Sequence, residues 1–511
     1  MPRVFTSKFR RLEFSIFALV TSVSLLFFGG HSTSIDEETY LAGLRSFLRG
    51  RSYLDLNSVS PQSILAMPGK SGQLSSFYGI GTTIFFMPGY LTGRFVSVFV
   101  DEAHKEQVLR LFLYSTNSFA LGLTALVIYK LCRLQNCTSA VSLWASLTFS
   151  FCTFALPSAG TGFSETFTAL FVISALYYSV KTPQSRKILY LTGLLLGCAI
   201  LMRASATIFL PIFLISLWVR STAGIRIRSI MFFSLGSSIP IVIFLAANYW
   251  KFGSPLDTGY PDLAYNTPIP EGLYGLFISS GKGLLWFAPI SALAFVTMKK
   301  SFANAKDFSI SAWMIIAANA LFFSRFEIWS GDAAYGPRYM GIVLPLFSVL
   351  AALGVSTIKD WSVVVTTLAG IPASLSGALI YVNASNSSRV SQLERALSSS
   401  SKNIDGEYNW EALRQLTLYI PRQSQLSYQF SQIGEAVSNS WNVLGNPPSH
   451  VPFNLGNGPA LSWYMAPVRL DMWWVYWIES GAPKIFLGFF PLILISAVFF
   501  ALRIRRGIVQ G

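Results

Sequence analysis

Apolar residues fall in long blocks along this chain, and polar residues collect in the gaps between them. Runs close to the roughly 20 residues that cross a bilayer as a helix occupy 12–30, 107–130, 139–156, 163–180, 188–202, 204–219, 229–250, 283–298, 309–323, 339–357, 361–381 and 484–502. This pattern predicts an all-α polytopic membrane protein with about 12 transmembrane helices. Two runs, 188–202 and 204–219, are short and separated only by Arg203, which predicts a bent pair. A further run, 80–99, contains Gly81, Pro88, Gly89, Gly93 and Arg94. Those breakers predict a re-entrant or surface-lying piece over a full crossing.

Basic residues set the orientation. Inside lie Arg3, Lys8, Arg10 and Arg11, then Lys130 and Arg133, then Lys181, Arg186 and Lys187. Arg220, Arg226 and Arg228 follow, then Lys299, Lys300 and Lys306, then Lys359, and finally Arg503, Arg505 and Arg506. Every connection on that side carries at least one cation, as the positive-inside bias requires. Counting 80–99 as a span would break the alternation. Both termini are therefore expected in the cytoplasm, with the first span uncleaved because no small-residue cleavage site precedes the acidic stretch after it.

The same orientation places 31–106, 251–282, 324–338 and 382–483 outside. The chain then divides into a membrane-embedded core, 1–381, whose first outer loop is 31–106; an outer loop or small cap, 382–483; and a last span with a basic tail, 484–511. Surface helices are expected in the outer pieces. The cap ends in Met472-Trp473-Trp474-Val475-Tyr476-Trp477, an aromatic run suited to the headgroup layer.

Composition agrees. Of 511 residues, 52% are hydrophobic and 12% charged, with mean hydropathy +0.50, where soluble domains carry about 25% charged residues. The net charge of +15 is spread over short inter-span loops. Its partner is anionic membrane lipid, and nucleic-acid binding is not indicated. Cys132, Cys137, Cys152 and Cys198 all lie in or beside spans, without a disulfide framework or metal-type spacing. The chain shows no internal repeat and no matched pair of broken helices of the transporter kind.

Charged residues with chemical potential cluster at the outer side. Ser34-Ile35-Asp36-Glu37-Glu38-Thr39-Tyr40 opens a short amphipathic helix in which Leu41, Leu44 and Leu48 share a face and Gly50 is the stop. Its acids complement the helix dipole, or Asp36 is a base held at the membrane surface. Glu165, after Ser164, is either a first-turn acid or a substrate contact. Arg203, costly at a membrane edge unless paired or facing water, points to function or to a structural carboxylate partner. Ser279-Ser280-Gly281-Lys282-Gly283 could hold a phosphate through backbone N–H groups and one lysine, although it does not match a P-loop. Asp332, Arg338 and Tyr339, in Trp329-Ser330-Gly331-Asp332-Ala333-Ala334-Tyr335-Gly336-Pro337-Arg338-Tyr339, form either an anion site or a snorkelling edge. Acids to activate a hydroxyl and cations to neutralise a phosphate leaving group are what glycosyl transfer from a lipid-phosphate sugar requires.

With Asp36-Glu37 and Tyr40 after the first span, the chain resembles the GT-C class of integral-membrane glycosyltransferases. Further support comes from Ser75-Ser76-Phe77-Tyr78-Gly79-Ile80-Gly81, the Asn248–Tyr260 exit, Gly281-Lys282-Gly283-Leu284-Leu285-Trp286 and Gly336-Pro337-Arg338-Tyr339. The nearest-looking groups are the protein O-mannosyltransferases and the aminoarabinose transferases that modify lipid A. The resemblance implies an inverting transfer from a polyprenyl-phosphate-linked sugar to a lipid, polysaccharide or protein acceptor, outside the plasma or inner membrane of a bacterial cell. Asp36 would be the catalytic base, and Glu37 would orient the acceptor or a bound cation. Tyr40, Tyr78, Glu165, Arg203, Lys282, Asp332, Arg338 and Tyr339 would line the substrate site. The aminoarabinose transferases carry an arginine directly before the tyrosine of this motif, where this chain has Thr39, which shifts the phosphate contact to Lys282 and Arg338. Some class members use a divalent metal. Three histidines make a nitrogen-rich site improbable, and an oxygen-ligated Mg or Mn site stays open. The alternative from another class is a lipid-linked-sugar flippase or transporter without catalysis, which needs its essential charges near the bilayer midplane.

Overall fold

The computed structural model describes residues 7–54, 65–181, 185–260, 265–331, 334–380, 382, 385, 389, 410–445, 468–479 and 487–509. Helices α1 (Ser7–Phe27) and α2 (Ile35–Leu48) lead into a two-stranded hairpin of β1 (Ala66–Pro68) and β2 (Leu74–Ser76). Next come α3 (Ile80–Ser97), α4 (Lys105–Leu134), α5 (Ser139–Phe151), α6 (Ala155–Ala159), α7 (Glu165–Lys181), α8 (Arg186–Met202), α9 (Leu210–Arg220) and α10 (Arg226–Phe252). The second half contains α11 (Ile269–Phe277), α12 (Leu284–Phe287), α13 (Ile290–Val296), α14 (Met298–Asn304), α15 (Lys306–Ser324), α16 (Leu344–Gly354) and α17 (Trp361–Leu379). It closes with α18 (Trp410–Tyr419), α19 (Gln425–Gly445), α20 (Trp473–Glu479) and α21 (Phe489–Val509).

Among the described residues, four helices, Glu102–Leu134, Ala223–Phe252, Lys306–Ser324 and Trp361–Leu379, are long and apolar enough to cross a membrane. Helices α8 and α10 pack through small residues. A Cβ on Gly193 of α8 or Gly236 of α10 would collide with the facing backbone at Phe233 or Tyr190, so these glycines let the two helices touch. The terminal helices also meet, through Ser22 and Ser496 (2.9 Å) and the edge-to-face rings of Phe14 and Phe500.

The structure departs from the sequence expectation at several places. The run 283–298 is not one span but α12 and α13, broken at Ala288, whose backbone is extended (φ −151°, ψ 75°) before Pro289. A residue preceding proline is pushed out of the helical region. The run 339–357 begins as a 3-10 turn, Arg338–Ile342, before α16. The bent pair does break at Arg203 (φ −144°, ψ 120°), followed by a 3-10 turn over Ala204–Phe209. The run 80–99 is an uninterrupted helix through Pro88. Its small residues serve contact instead, Gly89 and Gly93 resting against the α4 backbone at Leu109, Phe112 and Leu113. Among the described residues, the small hairpin is the one sheet added to the all-α reading. It reverses at Gly72 (φ 75°) and docks on the end of α10 through Lys70 N–H to the Lys251 carbonyl (2.8 Å).

The aromatic run before the last helix packs against the end of α1. Trp473 and Trp477 are buried. Trp473 and Trp474 donate their indole N–H groups to the carbonyls of Leu25 (2.8 Å) and Leu26 (3.1 Å) at the end of α1. The last carbonyls of a helix lack intrahelical donors, and these indoles supply them.

Candidate active site

The site starts from the capping of α2. Ser34 is its N-cap, and Ser34 Oγ accepts from Glu37 N–H while the Glu37 carboxylate accepts from Ser34 N–H (2.9 Å). This is a capping box. Glu37 also takes the Thr33 hydroxyl (2.9 Å), Thr33 N–H and, across 125 residues, Gly162 N–H. It is fully buried. Burial pushes its carboxyl up to about 7, against the pull of these donated hydrogen bonds. Glu37 thus clamps the loop before α2 to the loop before α7, and its oxygens are occupied by that task.

One residue earlier on the helix, Asp36 meets a different set of groups. Its Oδ2 lies 2.6 Å from Arg338 Nη2, and the Tyr78 hydroxyl also donates to it. Burial pushes the Asp36 carboxyl up, but Arg338, Tyr78 and Arg203 outweigh it and hold it below the usual carboxylate range. Arg338 Nε reaches Glu165 Oε1 at 2.5 Å, and Arg203 Nη1 reaches the same oxygen at 2.7 Å and Ser164 Oγ at 3.2 Å. The Arg338 guanidinium lies 3.8 Å over the Phe163 ring. Arg203 lies 5.6 Å over Tyr339, whose ring stacks in parallel on Phe323 at 4.4 Å. Two carboxylates and two guanidinium groups balance in charge.

Chain geometry brings these groups together. Gly336 (φ 64°) and Pro337 turn the chain so that Arg338 opens its 3-10 turn beside Glu165. Arg203 reaches Glu165 from the extended break between α8 and α9. Two polar atoms stay unsatisfied: Glu165 Oε2 and the Tyr40 hydroxyl are buried without a hydrogen-bond partner among the described residues. Tyr40 packs edge-to-face on Tyr78 at 4.6 Å.

Asp36 and Arg338 line a cavity of about 420 Å³, within the size range of small-molecule sites. Its other walls include Phe27, Phe163, Tyr335 and Leu65, and Asp471 is a third charged lining residue. Asp471 Oδ1 lies 2.6 Å from His31 Nε2.

Of the residues singled out in the sequence, Asp36, Tyr78, Glu165, Arg203, Arg338 and Tyr339 form one connected cluster, with Tyr40 against Tyr78. Glu37 lies beside them as a clamp. Lys282 does not join them: it is buried, its Nζ donates to the Ala334 carbonyl, and the loop amides of Gly281 and Gly283 are taken by the carbonyls of Leu418 and Ser279. The loop 279–283 therefore supports the cavity wall from behind and does not present a phosphate cradle. Asp332 lies outside the described residues. Sequence reasoning missed Phe163, which floors Arg338, and the His31–Asp471 pair. The signal for Asp471 was a lone acid directly before the aromatic run.

The donor set suits a divalent cation poorly. Both Asp36 and Glu165 already hold an arginine within 2.7 Å, and no group of three His, Cys, Asp or Glu side chains comes together among the described residues. What the cluster offers is a carboxylate able to take a proton beside guanidinium groups able to bind an anion.

No family model matches the chain, and no curated protein matches it. Two solved structures are similar to it. One is the crystal structure of ArnT from Cupriavidus metallidurans bound to undecaprenyl phosphate, 12% identical over 95% of this chain and 77% of that one, with a TM-score of 0.43. The other is the archaeal oligosaccharyltransferase AglB from Archaeoglobus fulgidus, in complex with an inhibitory peptide and a dolichol-phosphate. It is 13% identical over 98% of this chain and 56% of that one, with a TM-score of 0.31, so the present chain spans little more than half its length. Both are GT-C glycosyltransferases, the class that the sequence resembles. Likenesses this loose do not carry the chemistry, which rests on the geometry above.

Proposed function

We propose that the protein is an inverting glycosyltransferase that moves a sugar from a polyprenyl-phosphate donor to an acceptor hydroxyl on the extracytoplasmic face of a cell membrane. On this reading the chain crosses the bilayer about 12 times with both termini in the cytoplasm, and the acceptor is a lipid, polysaccharide or protein. The observation that carries the reading is the contact of Asp36 and Arg338, 302 residues apart, at 2.6 Å on the wall of the cavity.

The donor phosphate competes with Asp36 and Glu165 for Arg338 and Arg203. As Arg338 turns to the phosphate, Asp36 loses the partner that holds its carboxyl down and becomes the stronger base. The acceptor O–H then gives its proton to Asp36 as its oxygen forms the bond to the anomeric carbon. The bond from that carbon to the phosphate oxygen breaks, and both its electrons leave with polyprenyl phosphate. Guanidinium groups already in place stabilise the charge that grows on the leaving oxygen, and no separate acid is needed. Glu37 keeps the loops around Asp36 in register, and Tyr78 orients its carboxylate.

The test is Asp36→Asn in purified protein with polyprenyl-phosphate donors bearing labelled mannose, arabinose or glucose. Transfer is expected to fall by about 100-fold or more with thermal unfolding unchanged. Retained transfer removes Asp36 from the mechanism.

A further inference from the structure

The cavity has a second charged wall that the transfer chemistry does not use. His31 Nδ1 lies 2.9 Å from the Ser32 carbonyl, and its Nε2 lies 2.6 Å from Asp471 Oδ1. A carbonyl and a carboxylate both accept hydrogen bonds, so with Asp471 ionised the ring carries protons on both nitrogens. The pair is largely enclosed, with side-chain exposures of 4% for His31 and 15% for Asp471. Asp471 itself is fixed by its N–H to the Leu379 carbonyl (2.8 Å), beside the bridge between Ile380 and Leu470.

Room for this pair is built into the chain. A Cβ at Gly29 would fall 2.6 Å from Asp471 Oδ1 and 2.7 Å from His31 Nε2, so any larger residue would displace the contact. Asp471 Oδ2 makes no hydrogen bond among the described residues, and Asp471 lines the same cavity as Asp36 and Arg338. The imidazolium cancels the carboxylate's charge, so this wall attracts no cation strongly. It keeps one oxygen able to accept a hydrogen bond from a neutral hydroxyl.

We propose that Asp471 is a sugar-binding residue that accepts a hydrogen bond from a hydroxyl of the donor's sugar, with His31 as its positioning residue. The inference rests on the glycosyltransferase reading and deepens it. The phosphate is held at the Arg338 end, and the sugar extends from it to Asp471. The acceptor oxygen on Asp471 selects donors that present a hydroxyl there. A polar site left without its partner penalises a sugar lacking that group.

Binding equilibria test this without turnover. Purified full-length protein is titrated with bare polyprenyl phosphate and with the same lipid carrying mannose, arabinose or glucose. Wild type is expected to bind at least one sugar-bearing lipid about tenfold or more tighter than the bare one. Asp471→Asn should remove most of that increment and leave bare-lipid affinity unchanged, whereas Arg338→Ala weakens both. His31→Gln, which can still donate to Asp471, should keep more of the increment than His31→Ala. Equal affinity of wild type for bare and sugar-bearing lipids overturns the role of Asp471 while the phosphate site stands. Equal losses for both lipids in Asp471→Asn, with a lowered melting temperature, overturn it in favour of a structural pair. If wild type binds none of these lipids, the glycosyltransferase reading falls and takes this proposal with it.

Discussion

Asp36 and Glu38 stand two residues apart in the first turn of the same helix, and each binds an arginine from a distant part of the chain. Their surroundings differ. Glu38 grips Arg110 with both oxygens, and Arg110 also reaches Ser32 and Glu106, while Glu106 in turn holds Arg45 at 2.5 Å. That network ties α2 to α4. The Asp36 network contains the same residue types but borders a cavity and leaves Glu165 Oε2 and the Tyr40 hydroxyl unpaired. A network with its polar groups paired on α2 and α4 holds the protein together. One that borders open space with acceptors to spare is poised for a ligand.

Substitution should separate the two networks. The largest expected effect is on transfer at the Asp36 cluster. Alongside the loss in Asp36→Asn, Arg338→Lys keeps the charge but cannot hold Glu165 and Asp36 with one planar fork. Its transfer rate should fall by roughly 10–100-fold, read as release of polyprenyl phosphate, with the melting temperature near wild type. At the other cluster the dissociation should reverse. Arg110→Ala removes the buried cation that partly buried Glu38 and Glu106 share, and should cost about 1–3 kcal/mol of stability, read by thermal unfolding in detergent. Residual activity should track the folded fraction. Should Arg110→Ala remain stable yet inactive, the division between the clusters is wrong. A smaller effect is expected from Tyr78→Phe, which removes the hydroxyl donated to Asp36. The pH at which transfer is half-maximal should rise or fall with the Asp36 carboxyl, and here it should rise modestly, since the hydrogen bond that lowers that carboxyl is gone.

The smallest expected effect is on stability as a function of pH. Burial pushes the His31 ring down, but Asp471 outweighs it and raises the ring above its ordinary value near 6.5. That contribution is complete below about 6.5 and lost as pH rises through the raised value. Glu37, raised by burial to about 7, has the same sign, complete below its unfolded value and lost as pH rises through about 7. The melting temperature should therefore decline on the alkaline side, and His31→Gln should flatten the upper part of that decline.

Much of the helical layout was legible because a hydrocarbon slab imposes one length and one polarity on whatever crosses it. The helix after the first span was legible too: Ser34 and Glu37 write the cap, and Gly50 (φ 70°) writes the stop. Breaks governed by local sterics were harder to read. Pro88 is absorbed within α3, whereas Pro289 ends a helix, and the two look alike in a hydropathy plot. The loop 279–283 had the composition of an anion cradle, but its amides and Lys282 are consumed by neighbouring carbonyls.

The sequence by itself determined which residues carry charge into an apolar chain, that Asp36 and Arg338 were worth watching, and where the apolar segments run. Only the tertiary structure decided that Asp36 meets Arg338, that Glu37 is a clamp, that Lys282 stands behind the wall and that Asp471 completes the cavity. The physical reason is range. Hydropathy, capping and turn preference act over a few neighbouring residues. A carboxylate, by contrast, becomes base, clamp or strut according to which groups arrive from hundreds of residues away to share its oxygens.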